Sequence, residues 1–190
     1  MTPDQTRDEL DEVLEHARGG DEAAFVRLYR AVHPRVLRYA ASLVGADADD
    51  VAAETWLHVT RDLAGFRGDA DGFRAWVATI CRHRALDLHR ARQRRPVVLD
   101  DLLALSDRPA GDDPAQDAVE RLATARAVAL VATLPREQAE AVMLRAVVGL
   151  DVAQTAQVLG KAPGAVRVAA HRGLRRLAAE LARRPHPEEP

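Results

Sequence analysis

The sequence contains little of what builds disulfide frameworks, aromatic cores or membrane spans. Cys81 is the single cysteine among 190 residues, which excludes an internal disulfide and fits a reducing compartment. Aromatic residues make up 4% of the chain, so its cores must be built from Leu, Val and Ala. The longest apolar runs, such as 127–134, are too short to cross a bilayer, and no signal peptide opens the chain. These absences predict a cytoplasmic protein without membrane insertion.

Motifs that bind nucleotides or metals are also missing. Gly68 and Gly72 lie in an Asp-rich turn without the Lys-Ser/Thr pair that follows a phosphate-binding loop. No HExxH motif or paired-cysteine spacing occurs, and Cys81 with His83 lacks further ligands. One acidic cluster could suggest a metal site, but its members fall on different helix faces, which favours a solvated or partner-binding surface: Asp47, Asp49, Asp50 and Glu54. We therefore predict no enzyme activity, no cofactor and no metal.

Basic residues are numerous and unevenly distributed. Lys161 is the only lysine among 27 basic residues. The net charges of residues 1–60, 61–96, 97–120 and 121–190 are −6, +5, −6 and +5. Two basic blocks separated by acidic ones predict two nucleic-acid contacts and at least one surface for another partner. Solvated helix faces without any partner remain the alternative explanation.

Apolar residues at helical spacing predict an N-terminal helical domain over residues 1–96. Asp21 is a predicted N-cap, followed by apolar residues at i, i+3, i+4 and i+7 from Phe25. Pro34 is expected to kink or restart this helix. Asp47 or Asp49 is expected to cap the next helix, whose predicted apolar face carries Val51, Trp56, Leu57 and Val59.

A Gly- and Asp-rich loop, 65–72, leads into a predicted basic helix from about Phe73 to Arg92. Apolar positions such as Trp76 and Ile80 give this helix an inner face. Its outer face and end are predicted to be basic, through Arg82, Arg84, Arg90, Arg92, Arg94 and Arg95. Pro96 is expected to stop the helix.

Residues 97–118 have the composition of a flexible acidic linker, because they are rich in Asp, Pro and Ala and show no helical period over 107–117. A second helical domain is predicted over 119–184, with helix beginning near Ala118. Pro135 fits the first turn of a helix that Gly149 ends. Residues 185–190 are predicted to be a disordered tail. The predicted fold class is all-α: two small helical domains joined by a flexible acidic linker, with a C-terminal helix-turn-helix.

Residues 151–173, DVAQTAQVLGKAPGAVRVAAHRG, have the pattern of a helix-turn-helix, whose second helix enters the DNA major groove. Ala156 is small where two helices cross, and Gly160 can adopt a left-handed turn. Helical periodicity predicts an inward stripe of Val166, Ala170, Leu174, Leu177 and Leu181. It leaves Arg167, His171 and Arg175 facing the groove, with Arg172 and Arg176 placed for phosphates.

Taken in order, these segments resemble bacterial RNA polymerase sigma factors of the extracytoplasmic-function group, over roughly residues 18–182. In the N-terminal domain, GDEAAFVRLYRAVHPRVLRYA resembles the family's opening helix, and DADDVAAETWLHV resembles its core-binding helix. FRAWVATICRHRALDLHRARQRR resembles its promoter-opening and recognition helix. In the C-terminal domain, VATLPREQ and the helix-turn-helix resemble region four.

The resemblance implies a subunit that binds core RNA polymerase and directs it to −10 and −35 elements of promoter DNA. It implies core-polymerase contact at Asp50 and Glu54. It implies −10 recognition and strand opening, with a flipped base held by the loop 67–73, at Arg67, Asp69, Phe73, Trp76, His83, Arg84, Arg90 and Arg92. It implies −35 recognition at Arg167, His171, Arg172, Arg175 and Arg176. An anti-sigma factor is a further partner that the sequence leaves open, and plain core packing is the alternative role for Trp76.

Several positions depart from the family's pattern. Ala53 stands where the family usually has Gln, so core contact is not transferred to it, and His83 stands where Asn is frequent. In the recognition helix Ala162, Ala165 and Ala169 replace the usual Ser cap, Thr and Arg. Loss of a Ser cap costs about 1 kcal/mol of helix stability. These departures predict fewer base contacts than the family usually makes.

Two other functions remain compatible with a helix-turn-helix alone. The first is a stand-alone regulator with an N-terminal sensing or dimerisation domain. The second is a protein that sequesters another factor, against which the two basic blocks argue. A stand-alone regulator has no need for a basic, aromatic-supported helix beside a polar loop, so we favour the sigma factor.

Overall fold

Four helices form the N-terminal unit of the computed structural model, which describes residues 3–94 and 126–183, with side chains from residue 8 onward. They are α1 (Pro3–Arg18), α2 (Glu22–Val44), α3 (Ala48–Asp62) and α4 (Ala70–Arg94). Single 3-10 turns, Gly45–Asp47 and Leu63–Gly65, connect α2 to α3 and lead out of α3. The helices pack around a core that includes fully buried Leu28, Tyr39 and Val59.

The predicted start of α2 is confirmed, whereas a restart at Pro34 is wrong. Asp21 is the N-cap, and its carboxylate accepts a 3.0 Å hydrogen bond from the Ala24 N–H. Leu28, Val32 and Val36 are buried at helical spacing along one face. Pro34 lies within the single helix, which ends where Gly45 adopts a φ of +63°. The apolar face therefore continues through the proline.

The start of α3 is only partly as predicted. Asp47 occupies the N-cap position, but its side chain makes no capping hydrogen bond. Its carboxylate instead accepts a 2.5 Å hydrogen bond from Arg92 of α4. The acidic residue at this position therefore joins α3 to the far end of α4.

The C-terminal unit is also helical, and no strand occurs in residues 3–94 or 126–183. It consists of α5 (helical over residues 126–132), α6 (Arg136–Val142), α7 (Val152–Leu159) and α8 (Pro163–Arg183). A π-helical turn, Met143–Val148, extends α6. As predicted, Gly149 ends it, with a left-handed φ of +85°.

Helices α7 and α8 form the predicted helix-turn-helix. Asp151 and Gln154 make a reciprocal capping box at the start of α7, with hydrogen bonds of 2.7 and 2.9 Å. Gly160 ends α7 with a left-handed φ of +63°, as predicted. Val166 is 1% exposed and Ala156 is 5% exposed, so both lie in the core. The end of α7 and the two buried positions therefore agree with those predicted from the sequence.

The predicted inward stripe of α8 is wrong at two positions. Leu174 and Leu181 are 52% and 57% exposed, and Gly173 is buried instead. A Cβ at Gly173 would lie 2.8 Å from Val142 Cγ2, so α8 approaches α6 closely at that point. The inner face of α8 therefore includes Gly173 and does not include Leu174.

The two units pack against each other through α2 and α4 on one side and α6, the π-helical turn and α7 on the other. A single cluster of buried side chains runs through both units. Glu140 of α6 is 4% exposed, and its carboxylate accepts 2.7 Å hydrogen bonds from Arg82 of α4 and Arg136. Arg82, predicted on the outer basic face of α4, therefore pairs with the C-terminal unit.

Several predictions lie outside the described residues: the linker over 97–118, helix onset near Ala118, the stop at Pro96 and the tail over 185–190. The domain bounds 1–96 and 119–184 also extend beyond what the structure describes. Among the described helices, none is both long and apolar enough to span a bilayer.

Candidate polymerase and promoter interfaces

A groove between α3 and α4 contains the predicted polymerase-binding residues. Asp50 and Glu54 are exposed on α3, and both line this groove of about 520 Å³. Leu57, one turn further along α3, lines it as well and is 72% exposed. The prediction that Leu57 belongs to the inner face of α3 is therefore wrong. Carboxylates beside an exposed leucine make a surface suited to a partner protein, since buried interface cores are apolar and their rims polar.

Arg84 lies in the same groove, half-exposed, across from Asp50 and Glu54. The sequence groups Arg84 with residues that contact DNA, because it follows the basic pattern of α4. The helix turns it instead toward α3, where it shares the groove with Asp87 and Leu88. Charge pattern alone does not separate these two faces of α4.

The loop that precedes α4 is held by hydrogen bonds to its own backbone. Arg67 is exposed, and its Nη1 donates to the carbonyls of Ala64 and Phe66 at 3.0 and 2.8 Å. Gly68 has a φ of +146°, a region that L side chains rarely adopt. Asp69 is exposed, and its carboxylate accepts a 2.7 Å hydrogen bond from the Gly72 N–H. Arg67 and Asp69 thus shape the loop and also lie at its surface.

Three aromatic rings meet beneath this loop. Phe66 stacks on Trp76, with ring centroids 5.0 Å apart and an interplanar angle of 27°. Phe73 contacts both rings, at 5.7 and 5.9 Å between centroids. Phe73 is 0% exposed, so its predicted direct contact with DNA is wrong, and it supports the other two rings from the core.

Trp76 is partly buried and packs against the core, and its remaining surface lines a groove of about 490 Å³ with Phe66, Gly65, Asp62 and Arg61. It therefore combines core packing with a surface that is open to the groove. Phe66 was not singled out from the sequence, because it lies between Gly65 and Gly68 of the loop and follows no helical period. Its nearness to Trp76 depends on how the loop returns over α4, which spacing alone does not reveal.

The remaining basic residues of α4 differ in their surroundings. His83 is exposed on the surface of the helix. Arg90 is 64% exposed and forms a 3.2 Å ion pair with Asp87. Arg92 is 57% exposed and pairs with Asp47. Both arginines are accessible to a phosphate backbone, although each also pairs with a carboxylate of this chain.

The predicted DNA-facing residues of the helix-turn-helix are brought together on one element. All five are exposed on α8: Arg167, His171, Arg172, Arg175 and Arg176. The helix begins at Pro163, and the Ala162 carbonyl accepts a 3.2 Å hydrogen bond from the Val166 N–H. Proline at the first helical position fixes a helical φ, so α8 starts at this point without a serine side chain.

Burial favours the neutral forms of two ionisable side chains, Cys81 and Tyr39. Burial raises the pKa of the Cys81 thiol to about 12, against a smaller lowering by a hydrogen bond with Thr55. Burial and the nearby charge of Glu140 raise the pKa of Tyr39 well above its ordinary value. Within residues 3–94 and 126–183, no three His, Cys, Asp or Glu side chains are grouped to hold a metal ion.

Two family models match the chain in the order of its two units. The model for Sigma-70 region 2 matches residues 28–95, which include most of α2 and all of α3 and α4. The model for Sigma-70, region 4 matches residues 124–177, which include α6, α7 and most of α8. The two matches therefore cover both the groove and loop of the first unit and the helix-turn-helix of the second.

Curated relatives match over nearly the whole chain. The ECF RNA polymerase sigma factor SigD of Mycobacterium tuberculosis is 37% identical over 179 residues, which is 90% of this chain and 84% of SigD. The ECF RNA polymerase sigma factor ShbA of Streptomyces griseus is 37% identical over 178 residues, covering 88% of this chain and 92% of ShbA. The solved structure of CnrH in complex with the cytosolic domain of CnrY is similar with a TM-score of 0.62 and 26% identity, over 91% of this chain and 97% of that chain. The chain belongs to the extracytoplasmic-function sigma factors, subunits that bind core RNA polymerase and promoter DNA and direct the initiation of transcription.

Proposed function

We propose that this sigma factor opens the −10 element by capturing an unpaired base over the ring stack of Phe66 and Trp76. The observation that carries the proposal is the partly exposed stack beside a polar loop, at the start of a basic helix. An aromatic face that is open to solvent can stack a nucleobase, which contributes about 1–3 kcal/mol per base. A protein that reads duplex DNA alone has no use for such a surface.

In this mechanism, the free energy of binding the unpaired strand drives strand opening, and no catalytic step is involved. The captured base and the exposed arginines Arg90 and Arg92 favour the unpaired strand over the duplex, so the sigma factor needs no nucleotide hydrolysis of its own. Arg67 and Asp69 keep the loop in place, and His83 faces solvent on the same helix. We infer that the chain acts as a non-enzymatic initiation factor.

The groove between α3 and α4 is the proposed site for core RNA polymerase. Asp50 and Glu54 supply charge at its edge, and Leu57 supplies apolar surface. We assign Arg84 to this groove rather than to DNA, because it lies among these side chains. Polymerase and DNA share the cytoplasm, and we propose that location for this chain.

Helix α8 is the proposed reader of the −35 element. Its exposed Arg167, His171 and Arg175 face the groove, while Arg172 and Arg176 suit phosphates. We propose the domain bounds 1–96 and 119–184 for the two DNA-contacting units, with 97–118 as the linker and 185–190 as the tail. We also propose an anti-sigma factor as a regulatory partner, since the similar structure of CnrH contains the cytosolic domain of CnrY.

The decisive experiment is transcription in vitro with purified chain, core RNA polymerase and fragmented host DNA, with mapping of RNA 5′ ends. We expect discrete starts that depend on this chain and share two upstream motifs. On one such promoter, Trp76→Ala should lower the fraction of open complex by roughly 10- to 100-fold, as loss of one stacked base predicts. A template already unpaired at the −10 element should recover most of that loss.

The matched control is Val26→Ala, because Val26 is 38% exposed on α2 and lies outside the proposed interfaces. Core binding and thermal unfolding of both variants show whether the fold is intact. Open complex at the wild-type level in Trp76→Ala would remove the ring stack from the mechanism. A footprint of the chain alone on duplex DNA, without any discrete starts, would instead indicate a stand-alone regulator.

A further inference from the structure

Asp11 of α1 contacts the promoter-opening helix, although it lies outside the residues to which the sequence assigns that role. Its carboxylate accepts a 2.5 Å hydrogen bond from the backbone N–H of Ala70, the first residue of α4. The two residues are 59 positions apart in the sequence, so the contact exists only in the folded unit. It lies directly after the loop that carries Arg67 and Asp69.

The N–H groups of a first helical turn have no acceptor within their own helix and must find one elsewhere. In α4, the Asp69 carboxylate accepts from Gly72 at 2.7 Å, and the Asp69 carbonyl accepts from Phe73 at 2.8 Å. Asp11 supplies the acceptor for Ala70. Both carboxylates also oppose the positive end of the helix dipole. The start of α4 is therefore held by one carboxylate from the loop and one from α1.

Helix α1 is a firm support for this contact. Val13, Leu14 and Ala17 are buried on its inner face, at 4%, 1% and 6% exposure. The helix contacts α2, α4 and the 3-10 turn Leu63–Gly65 that leads into the loop. The carboxylate of Asp11 therefore comes from a packed element and not from a free surface side chain.

We propose that Asp11 is a positioning residue for promoter opening, which fixes the start of α4 and with it the loop 66–69 that carries Phe66 onto Trp76. This inference rests on the proposed role of that ring stack in capturing an unpaired base. Without the Asp11 contact, the loop has to be ordered when DNA binds, and that ordering opposes strand capture. Helix α1 thereby contributes to opening without touching DNA.

The test compares three variants of the full chain as holoenzyme. Asp11→Ala removes the acceptor, whereas Asp11→Asn keeps a carbonyl oxygen that accepts from Ala70 and removes the charge. Glu12→Ala removes an equal charge from the next position, and Glu12 lines the same surface groove as Asp11, Gly68 and Asp69. The readouts are the fluorescence of 2-aminopurine placed beside the captured −10 base, which rises when the strands separate, the affinity for core polymerase and thermal unfolding.

We expect Asp11→Ala to lower the 2-aminopurine signal on duplex promoter roughly tenfold, as loss of the hydrogen-bond acceptor for the Ala70 N–H predicts. Core affinity should stay within about twofold of wild type, because Arg84, the first α4 residue of the groove between α3 and α4, lies 14 residues from Ala70, or about 21 Å along the helix. Asp11→Asn should recover most of the signal, and Glu12→Ala should match wild type. An equal loss in Glu12→Ala, or no recovery in Asp11→Asn, would overturn the inference in favour of charge or general stability.

Trp76→Ala in the same assay separates the two proposals. A loss of signal in Trp76→Ala together with a wild-type signal in Asp11→Ala would reject the role of Asp11 and leave the ring stack in place. Wild-type signals in both variants would reject the ring stack itself, and the role of Asp11 with it.

Discussion

Gly173 sets the orientation of the recognition helix through a single missing side chain. Its Cβ position lies 2.8 Å from Val142 Cγ2 and 3.3 Å from the Gln138 Cβ. Only glycine permits this approach of α8 to α6. The approach places Val166 and Gly173 inward and leaves Leu174 exposed. The direction in which Arg167 and His171 face thus depends on one residue that itself cannot contact DNA.

Gly173→Ala is expected to destabilise the protein by about 1–3 kcal/mol, because the added methyl group overpacks the contact with Val142. Urea unfolding measures the change. Gly164→Ala in the same helix is the matched control, since a Cβ there meets no atom within 4 Å. That control should be stabilising by roughly 0.5–1 kcal/mol, through the helix propensity of alanine. Equal stability of Gly173→Ala and wild type would show that α8 moves away without cost.

The sequence predicts local backbone conformation better than it predicts which residues pack against one another in the fold. Asp21, Gly149 and Gly160 act within their own turns, so their roles as cap and helix ends could be predicted from the sequence. Leu57 and Phe73 could not be placed, because exposure depends on which helix packs over each position. The general rule that apolar residues lie inside fails where a partner surface or a close glycine contact decides.

At the scale of elements, α8 combines two kinds of contact along one surface. Arg167, His171 and Arg175 lie on the face predicted for base edges, and Arg172 and Arg176 lie beside it. An arginine that is bidentate to guanine discriminates against the wrong base by about 1–3 kcal/mol, whereas a phosphate contact contributes affinity that is independent of sequence. We therefore expect substitutions of neighbouring arginines on α8 to affect DNA binding in different ways.

Arg172→Ala should weaken binding to promoter and non-specific duplexes alike, and should reduce the slope of log K against log salt by about 1. Arg167→Ala should instead relax the preference for the −35 sequence, with a loss of roughly 1–3 kcal/mol confined to the cognate site. Fluorescence anisotropy with holoenzyme at several salt concentrations measures both. If the two variants behave alike, α8 does not present separate faces to base edges and to phosphates.

Helix α4 shows where prediction from the sequence ends at this scale. Its position and basic character follow from the residues, and it runs from Ala70 to Arg94, close to the predicted bounds. The partners of its arginines follow from tertiary packing: Arg82 binds Glu140, Arg92 binds Asp47, and Arg84 faces the groove beside α3. One basic block in the sequence thus divides among three surroundings in the fold.

At the scale of the whole molecule, the two units are joined by one continuous core. The −10 and −35 elements are named for positions that lie about 25 base pairs apart, which is about 85 Å of B-DNA. A globular body of 150 residues, the number in 3–94 and 126–183 together, has a radius of gyration of about 15 Å and is about 40 Å across. The packed arrangement is therefore too small to contact both elements, and binding both requires the units to separate.

Glu140 is the residue whose loss should favour that separation. Its buried carboxylate accepts from Arg82 across the unit boundary and from Arg136 within its own helix, at 2.7 Å each. Glu140→Ala leaves both guanidinium groups without this partner. Because the Arg82 and Arg136 side chains are 20% and 58% exposed, water compensates part of the about 3–5 kcal/mol that breaking a fully buried pair costs. We expect lower stability toward urea, together with a larger radius of gyration by small-angle X-ray scattering.

Arg82→Ala tests the boundary more narrowly, because it removes the Arg82–Glu140 ion pair between the units and leaves the Arg136–Glu140 pair intact. Arg90→Ala is the control for loss of an arginine from the same helix. Its pair with Asp87 is 64% and 56% exposed, so the expected change in stability is under about 1 kcal/mol. An increased radius of gyration in Glu140→Ala and Arg82→Ala, but not in Arg90→Ala, would identify the buried pair as what holds the units together. If Glu140→Ala loses stability at an unchanged radius, the carboxylate supports α6 alone, and the shared apolar core by itself keeps the promoter-reading surfaces in one body.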